Sequence, residues 1–170
     1  MLTPVQQYQY GTPVVMIQNK ERTTRFINDY QSINHQLVRK SHPLPIIDKK
    51  IQQLEIFQYA TALDLNMGYY TINILTASQD MTTIVTEFGK FIYNSLPMGM
   101  WAPGYILQAK VDDLLENTVG VKTYINAILV LRKERFSKHM EQPNISFGKL
   151  RASGLKVNAT ECSFGVNNIP

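Results

Sequence analysis

Acidic side chains are the first place to look for chemistry here, and the chain has 13 Asp and Glu against 17 Lys and Arg. Asp64 closes an apolar run, Ala60 to Leu65, that reads as a short buried strand. An Asp alone at a strand end serves most often as a turn or cap residue. Asp112-Asp113 lies inside an amphipathic helix, between inward-facing Val111 and Leu114-Leu115, and reads as solvated helix surface. Lys20 and Arg22 lie on the polar loop Asn19 to Thr24, just ahead of Arg25; basic loop residues taken alone are solvated. His35, His42 and His139 lack metal-ligand spacing, and neither a Ser/His/Asp nor a Cys/His grouping stands out. There is no Gly-rich phosphate loop. The single Cys162 excludes an internal disulfide framework and reads as a small buried hydrophobe.

The elements that must position these residues follow from pattern. With 170 residues and 44% hydrophobic content, the chain can bury one core or two small lobes. Pro13 to Ile17 and Arg25 to Asn28 look like paired strands, after an extended lead-in over residues 1–12. His42-Pro43-Leu44-Pro45 is a rigid entry to a helix whose apolar stripe is Ile47, Ile51, Leu54 and Gln58. Thr82 to Thr86, Phe88-Gly89 and Phe91 to Tyr93 give a hairpin signal. Tyr105 to Glu116 reads as a helix with Ile106, Leu107, Val111, Leu114 and Leu115 inward. Lys122 to Val130 reads as two β-branched strands around a tight turn that carries Asn126-Ala127. Residues 134–152 sit where a helix should cover the sheet, but Pro143 and Gly148 predict that it is broken or kinked. Gly154 to Asn158 looks like a helix stop and then a strand.

A net charge of +4 and a pI near 9.1 suit a polyanionic partner. No apolar run approaches the roughly 18 residues of a membrane span, and residues 1–15 lack the features of a signal peptide. Together with the lone cysteine, this predicts an intracellular protein, cytoplasmic or nuclear, with no membrane partner.

Three blocks in fixed order carry a family resemblance. Ala62-Leu63-Asp64-Leu65-Asn66-Met67-Gly68-Tyr69-Tyr70 resembles the first polymerase motif, Leu96-Pro97-Met98-Gly99 through Gln108 the second, and Tyr124 to Val130 occupies the place of the third. Arg25 to Tyr30, His42 to Pro45, Thr83 to Thr86 and Gly154 to Ala159 fall at matching spacing around them. The chain resembles the reverse transcriptase, an RNA-directed DNA polymerase, of gypsy-type LTR retrotransposons. The resemblance implies an α+β fold of fingers and palm, with an antiparallel palm sheet backed by helices. It divides the chain into 1–60 as the first part of the fingers, 61–80 as palm with motif A, 81–95 as a fingers hairpin and 96–170 as palm. Nothing in the chain resembles the thumb, connection or RNase H regions of the family.

The resemblance also implies roles. Two-metal phosphoryl transfer needs carboxylates on adjacent strands, because Mg²⁺ prefers hard oxygen ligands. Asp64 matches the first ligand, while Asn126 and Ala127 match the two adjacent aspartates of the family's Tyr-x-Asp-Asp turn. Lys20, Arg22, Arg25, Leu65, Tyr69 and Gln108 match nucleotide-binding positions: Arg25 meets the triphosphate, Tyr69 excludes a ribose 2′-hydroxyl, and Gln108 lies near template and nucleotide. The implied partners are an RNA or DNA template–primer and dNTPs. Gly104 stands where the family places Pro, Leu107 where it prefers Phe, and Trp101 where small or polar residues are usual. With one carboxylate left of three, the expectation is a catalytically inactive reverse transcriptase domain of a decayed element. The alternative is a domesticated nucleic-acid-binding or protein-interaction domain.

Overall fold

Short β-branched runs broken by glycines and polar turns favour many brief strands over long helices, and the elements follow that pattern. The computed structural model describes residues 2–18, 24–38 and 56–167, with the backbone alone at 24–26. In chain order come β1 Leu2–Pro4, β2 Thr12–Gln18, β3 Thr24–Asn28, α1 Gln31–Gln36, β4 Tyr59–Asn66, α2 Thr76–Gln79, β5 Ile84–Thr86 and β6 Gly89–Tyr93. Then follow α3 Pro103–Leu115, β7 Val121–Tyr124, β8 Ala127–Arg132, α4 Phe136–Ala152, β9 Lys156–Val157 and β10 Ser163–Val166.

These elements form two compact units, one from the described parts of 1–40 and 69–103, the other from those of 41–68 and 104–170. Residues 69–80 and 96–103 thus group with the first unit, and residues 61–68 and 104–108 with the second. The first unit holds a sheet in the order β1-β6-β5-β2-β3. β2 and β3 pair antiparallel, and β5 and β6 form the expected hairpin, while β2 and β5 run parallel. Tyr30, Ile33, Ile84 and Tyr93 are buried together as its core. The extended lead-in contributes a strand, since Leu2–Pro4 pairs with β6 at Phe91 to Tyr93.

The second unit is built on the order β10-β4-β8-β7, with β9 also paired to β4; every pair is antiparallel. Helix α4 packs across β4, β8 and β10. It is unbroken from Phe136 to Ala152, contrary to the expected break at Pro143 and Gly148. The reason is burial: His139, Pro143, Ser146 and Leu150 form a buried stripe one or two turns apart. An interior proline costs about 3 kcal/mol, and burying one Leu or Ile side chain offsets about 1.5–3 kcal/mol. Gly154, at φ +78, then ends the helix with the amide of Leu155 on the Leu150 carbonyl at 3.1 Å. Gln58, read as the last residue of a helical stripe, instead leads into β4, its amide on the Arg132 carbonyl at 2.8 Å. The rest of that stripe, His42 to Pro45, Lys20 and Arg22 lie outside the described residues. Among the described residues, no helix is long and apolar enough to cross a membrane.

Candidate functional site

Strand pleating puts Thr61, Leu63 and Leu65 on one face of β4 and Asp64 on the other. Leu63 and Leu65 are buried, and Thr61 Oγ1 lies 2.8 Å from His139 Nε2 of α4, so the helix covers that first face. Asp64 occupies the opposite face, directly across the ladder from Ala127 of β8. Residues opposed in this way have Cβ atoms about 4.5–5.5 Å apart on one side of the sheet. A carboxylate at position 127 would therefore stand beside Asp64. The next amide along, that of Leu65, donates to the carbonyl of Asn126 at 2.9 Å, and Asn126 Oδ1 is buried without a hydrogen-bond partner. The sequence reading thus brought together three residues that the fold does juxtapose.

The hairpin tip is tight. Tyr124 pairs with Ala127, leaving Ile125 and Asn126 as a two-residue loop, and Ile125 has φ +52. A positive φ at the first central position is the sign pattern of a type II′ turn, which favours Gly there. For an L residue the left-handed region costs about 1–2 kcal/mol, and a β-branched side chain makes it a true outlier. A neighbour holds the tip in place. The Ile125 amide donates to Gln108 Oε1 at 2.6 Å, while Gln108 Nε2 donates to Asp112 Oδ1 at 2.8 Å and Thr123 Oγ1 at 3.1 Å. The Thr123 hydroxyl in turn donates to Asp112 Oδ1.

This network corrects one expectation. Gln108 is 0% exposed, its oxygen and one N–H engaged by the hairpin and the other N–H by Asp112 of its own helix. Asp112 is half-buried and bonded, where amphipathicity alone had put it in solvent; Asp113 is indeed exposed. The cause is one helical turn of spacing, which sets Gln108 and Asp112 on the face of α3 that meets Thr123.

Sequence reasoning missed Glu161. Between the segments of β4 paired to β9 and to β10, the 3-10 turn Ala159–Glu161 spans the gap. It is pinned by the Asn158 amide on the Asp64 carbonyl at 2.8 Å and by the Asp64 amide on Cys162 Sγ at 3.4 Å. That brings the Glu161 carboxyl to Asp64. Burial first, then the Glu161 charge and a hydrogen bond between the two side chains, hold the Asp64 carboxyl above its ordinary value. No local pattern announced this pair, because 97 residues separate its members and only strand pairing joins them. Cys162, whose thiol donates to the Asn158 carbonyl at 3.0 Å, is a half-buried structural partner.

Of the remaining nominated residues, Leu65 is buried and its amide is engaged in the ladder. Tyr69 is half-buried in the 3-10 turn Gly68–Thr71, and Arg25 lies on β3; both belong to the first unit. Among the described residues, no three or more His, Cys, Asp or Glu are grouped to hold a metal ion.

Comparison with known proteins decides the family. Residues 17–169 match the family described as reverse transcriptase (RNA-dependent DNA polymerase). The chain belongs to the reverse transcriptase family. This domain is 28% identical over 171 residues to the retrovirus-related Pol polyprotein from transposon 412 of Drosophila melanogaster, a match covering 95% of the chain and 14% of that protein. It is 26% identical over 156 residues to the transposon Tf2-7 polyprotein of Schizosaccharomyces pombe, covering 89% of the chain and 12% of that protein. The reverse transcriptase domain therefore spans only a small part of the length of these retrotransposon relatives. Its fold is that of the foamy viral protease–reverse transcriptase dRH solved in complex with ds DNA, with a TM-score of 0.92 at 22% identity. That match covers 99% of this chain and 29% of the viral one. The α+β reading, and the antiparallel sheet that carries Asp64, agree with this likeness.

Proposed function

We propose that this chain is the fingers-and-palm portion of a retrotransposon reverse transcriptase that engages nucleic acid but does not catalyse nucleotide transfer. The carrying observation is the pairing of Asp64 with Ala127 at the tip where Asn126 also stands. A methyl group and a neutral amide occupy the two positions from which carboxylates would complete a metal site. Mg²⁺ is held by hard anionic oxygens, and a two-ion centre needs several. The matching positions supply one carboxylate, and Glu161 adds a second that repels it. This set does not fit two magnesium ions.

Binding is a separate matter. The net charge of +4, with Arg25, Tyr69, Lys20 and Arg22 kept at the positions the family uses, favours contact with an RNA or DNA template–primer and a dNTP. Foamy viral relatives of the same fold were solved with dsDNA and with an RNA/DNA hybrid. Contacts to phosphate give weak, sequence-independent binding that falls steeply with salt.

Primer extension with Mg²⁺ or Mn²⁺ tests the catalytic half: no templated incorporation is expected. Extension above a no-enzyme control that Asp64→Ala abolishes would overturn it. Fluorescence anisotropy with a labelled primer–template tests the other half. Absence of binding at low salt would favour the domesticated interaction domain. In the variant Asn126→Asp with Ala127→Asp, MgCl₂ should raise the melting temperature, since binding at about 100 times Kd contributes about 2.7 kcal/mol.

A further inference from the structure

The β7–β8 tip holds a conformation that nothing in its own two residues favours. The β5–β6 hairpin, with the same loop length between Thr86 and Gly89, closes with negative φ at both Glu87 and Phe88. Ile125 instead has φ +52 and is followed by Asn126 and Ala127, none of them glycine. A left-handed β-branched residue persists only where its surroundings over-determine it. Here the one side chain bonded to the Ile125 amide among the described residues is Gln108, fully buried and itself fixed by Asp112 and Thr123.

We propose that Gln108 is a positioning residue that locks Ile125 in the left-handed region and so fixes where positions 126 and 127 stand relative to Asp64. The proposal rests on the reading that these two positions are the degenerate partners of Asp64. The chain of contacts is short. Helix α3 supplies Gln108, Gln108 holds the Ile125 amide, Ile125 starts the turn, and the residue that ends it pairs with Asp64. Each contact in this chain joins two protein groups. None of them uses the side chain at position 126 or 127, so the frame does not depend on carboxylates there.

Two measurements test it. In the full chain carrying Asn126→Asp and Ala127→Asp, Mg²⁺ affinity is measured with MgCl₂ alone, by calorimetry and by the metal-dependent melting temperature. Adding Gln108→Met, a swap of similar size, should weaken Mg²⁺ by about 10–100-fold, as loss of a residue that orients ligands does. Adding Ile125→Gly to that variant should restore most of the affinity, because glycine holds a positive φ unaided. Affinity unchanged by Gln108→Met, or not restored by Ile125→Gly at equal melting temperature, overturns the proposal. The second measurement uses the parent chain. The Ile125 amide should be protected from hydrogen exchange, and Gln108→Met should remove that protection while the β8 ladder amides keep theirs. Fast exchange of Ile125 in the parent overturns the proposal. If the two-aspartate variant binds no Mg²⁺, the convergence of 126 and 127 on Asp64 is wrong, and the exchange measurement still decides the role of Gln108.

Discussion

Two two-residue hairpins of this protein, β5–β6 and β7–β8, close in opposite ways. At β5–β6 the chemistry is local: Thr86 Oγ1 donates to the Gly89 carbonyl at 3.0 Å, accepts from the Phe88 amide at 3.2 Å, and Gly89 takes the positive φ of +137. At β7–β8 the positive φ falls on Ile125, and the bond that holds it comes from another element, 17 residues back in the chain. The first turn could be written into any sheet. The second depends on a buried polar network of Gln108, Asp112 and Thr123, and it is the one that faces Asp64 across the ladder. Strain held by its surroundings gathers at functional sites, and here it falls in the turn that pairs with Asp64.

If that contrast is right, mutations at equivalent places should differ in size or sign. The largest effect is expected from Gln108→Met, which leaves the Ile125 amide and part of the Asp112–Thr123 pair unsatisfied. It should cost about 1–3 kcal/mol, read as a fall in melting temperature of about 2–4 °C per kcal/mol. Thr86→Val in the other hairpin should cost about 1 kcal/mol or less, and equal losses would erase the distinction. Next in size, Gly89→Ala forces a side chain into the left-handed half of the map and should destabilise by about 1–2 kcal/mol. Ile125→Gly should do the reverse and stabilise by somewhat under that amount, once glycine's extra unfolded-state entropy of about 0.5–1 kcal/mol is subtracted. Matching signs in chemical denaturation would show that Ile125 is not strained.

The smallest effect lies away from both tips. His139, bonded to Thr61 on the covered face of β4, is held below its ordinary value of 6.5, first by burial and then by the Arg132 charge. A base kept neutral in the fold takes up its proton more readily when unfolded. Its contribution is therefore complete above about pH 6.5 and is lost as pH falls below that value. His139→Gln should flatten the decline in melting temperature between pH 7.5 and 5.5 without moving the Gln108 network. An unchanged slope would remove His139 as its source.

Much of this was legible in the residues. The run Ala60 to Leu65 gave β4, the pairing of residues 13–17 with 25–28 gave β2–β3, and Lys122 to Val130 gave the β7–β8 hairpin though not its strain, because strand periodicity is a local property. The resemblance of the motifs, which needs no coordinates, is also what matched Asn126 and Ala127 to the two aspartates of the family's turn. Tertiary structure decided the rest. Local rules broke α4 at Pro143, and burial of His139, Pro143, Ser146 and Leu150 against the sheet kept it whole. They sent Asp112 to solvent, and the hydroxyl of Thr123 and the amide of Gln108 drew it into a buried network. They were silent on Glu161, which reaches Asp64 only because β9 and β10 return to β4. Propensity and periodicity act over a few neighbouring residues, whereas a partner for a buried polar group comes from whatever element the fold brings within hydrogen-bond range.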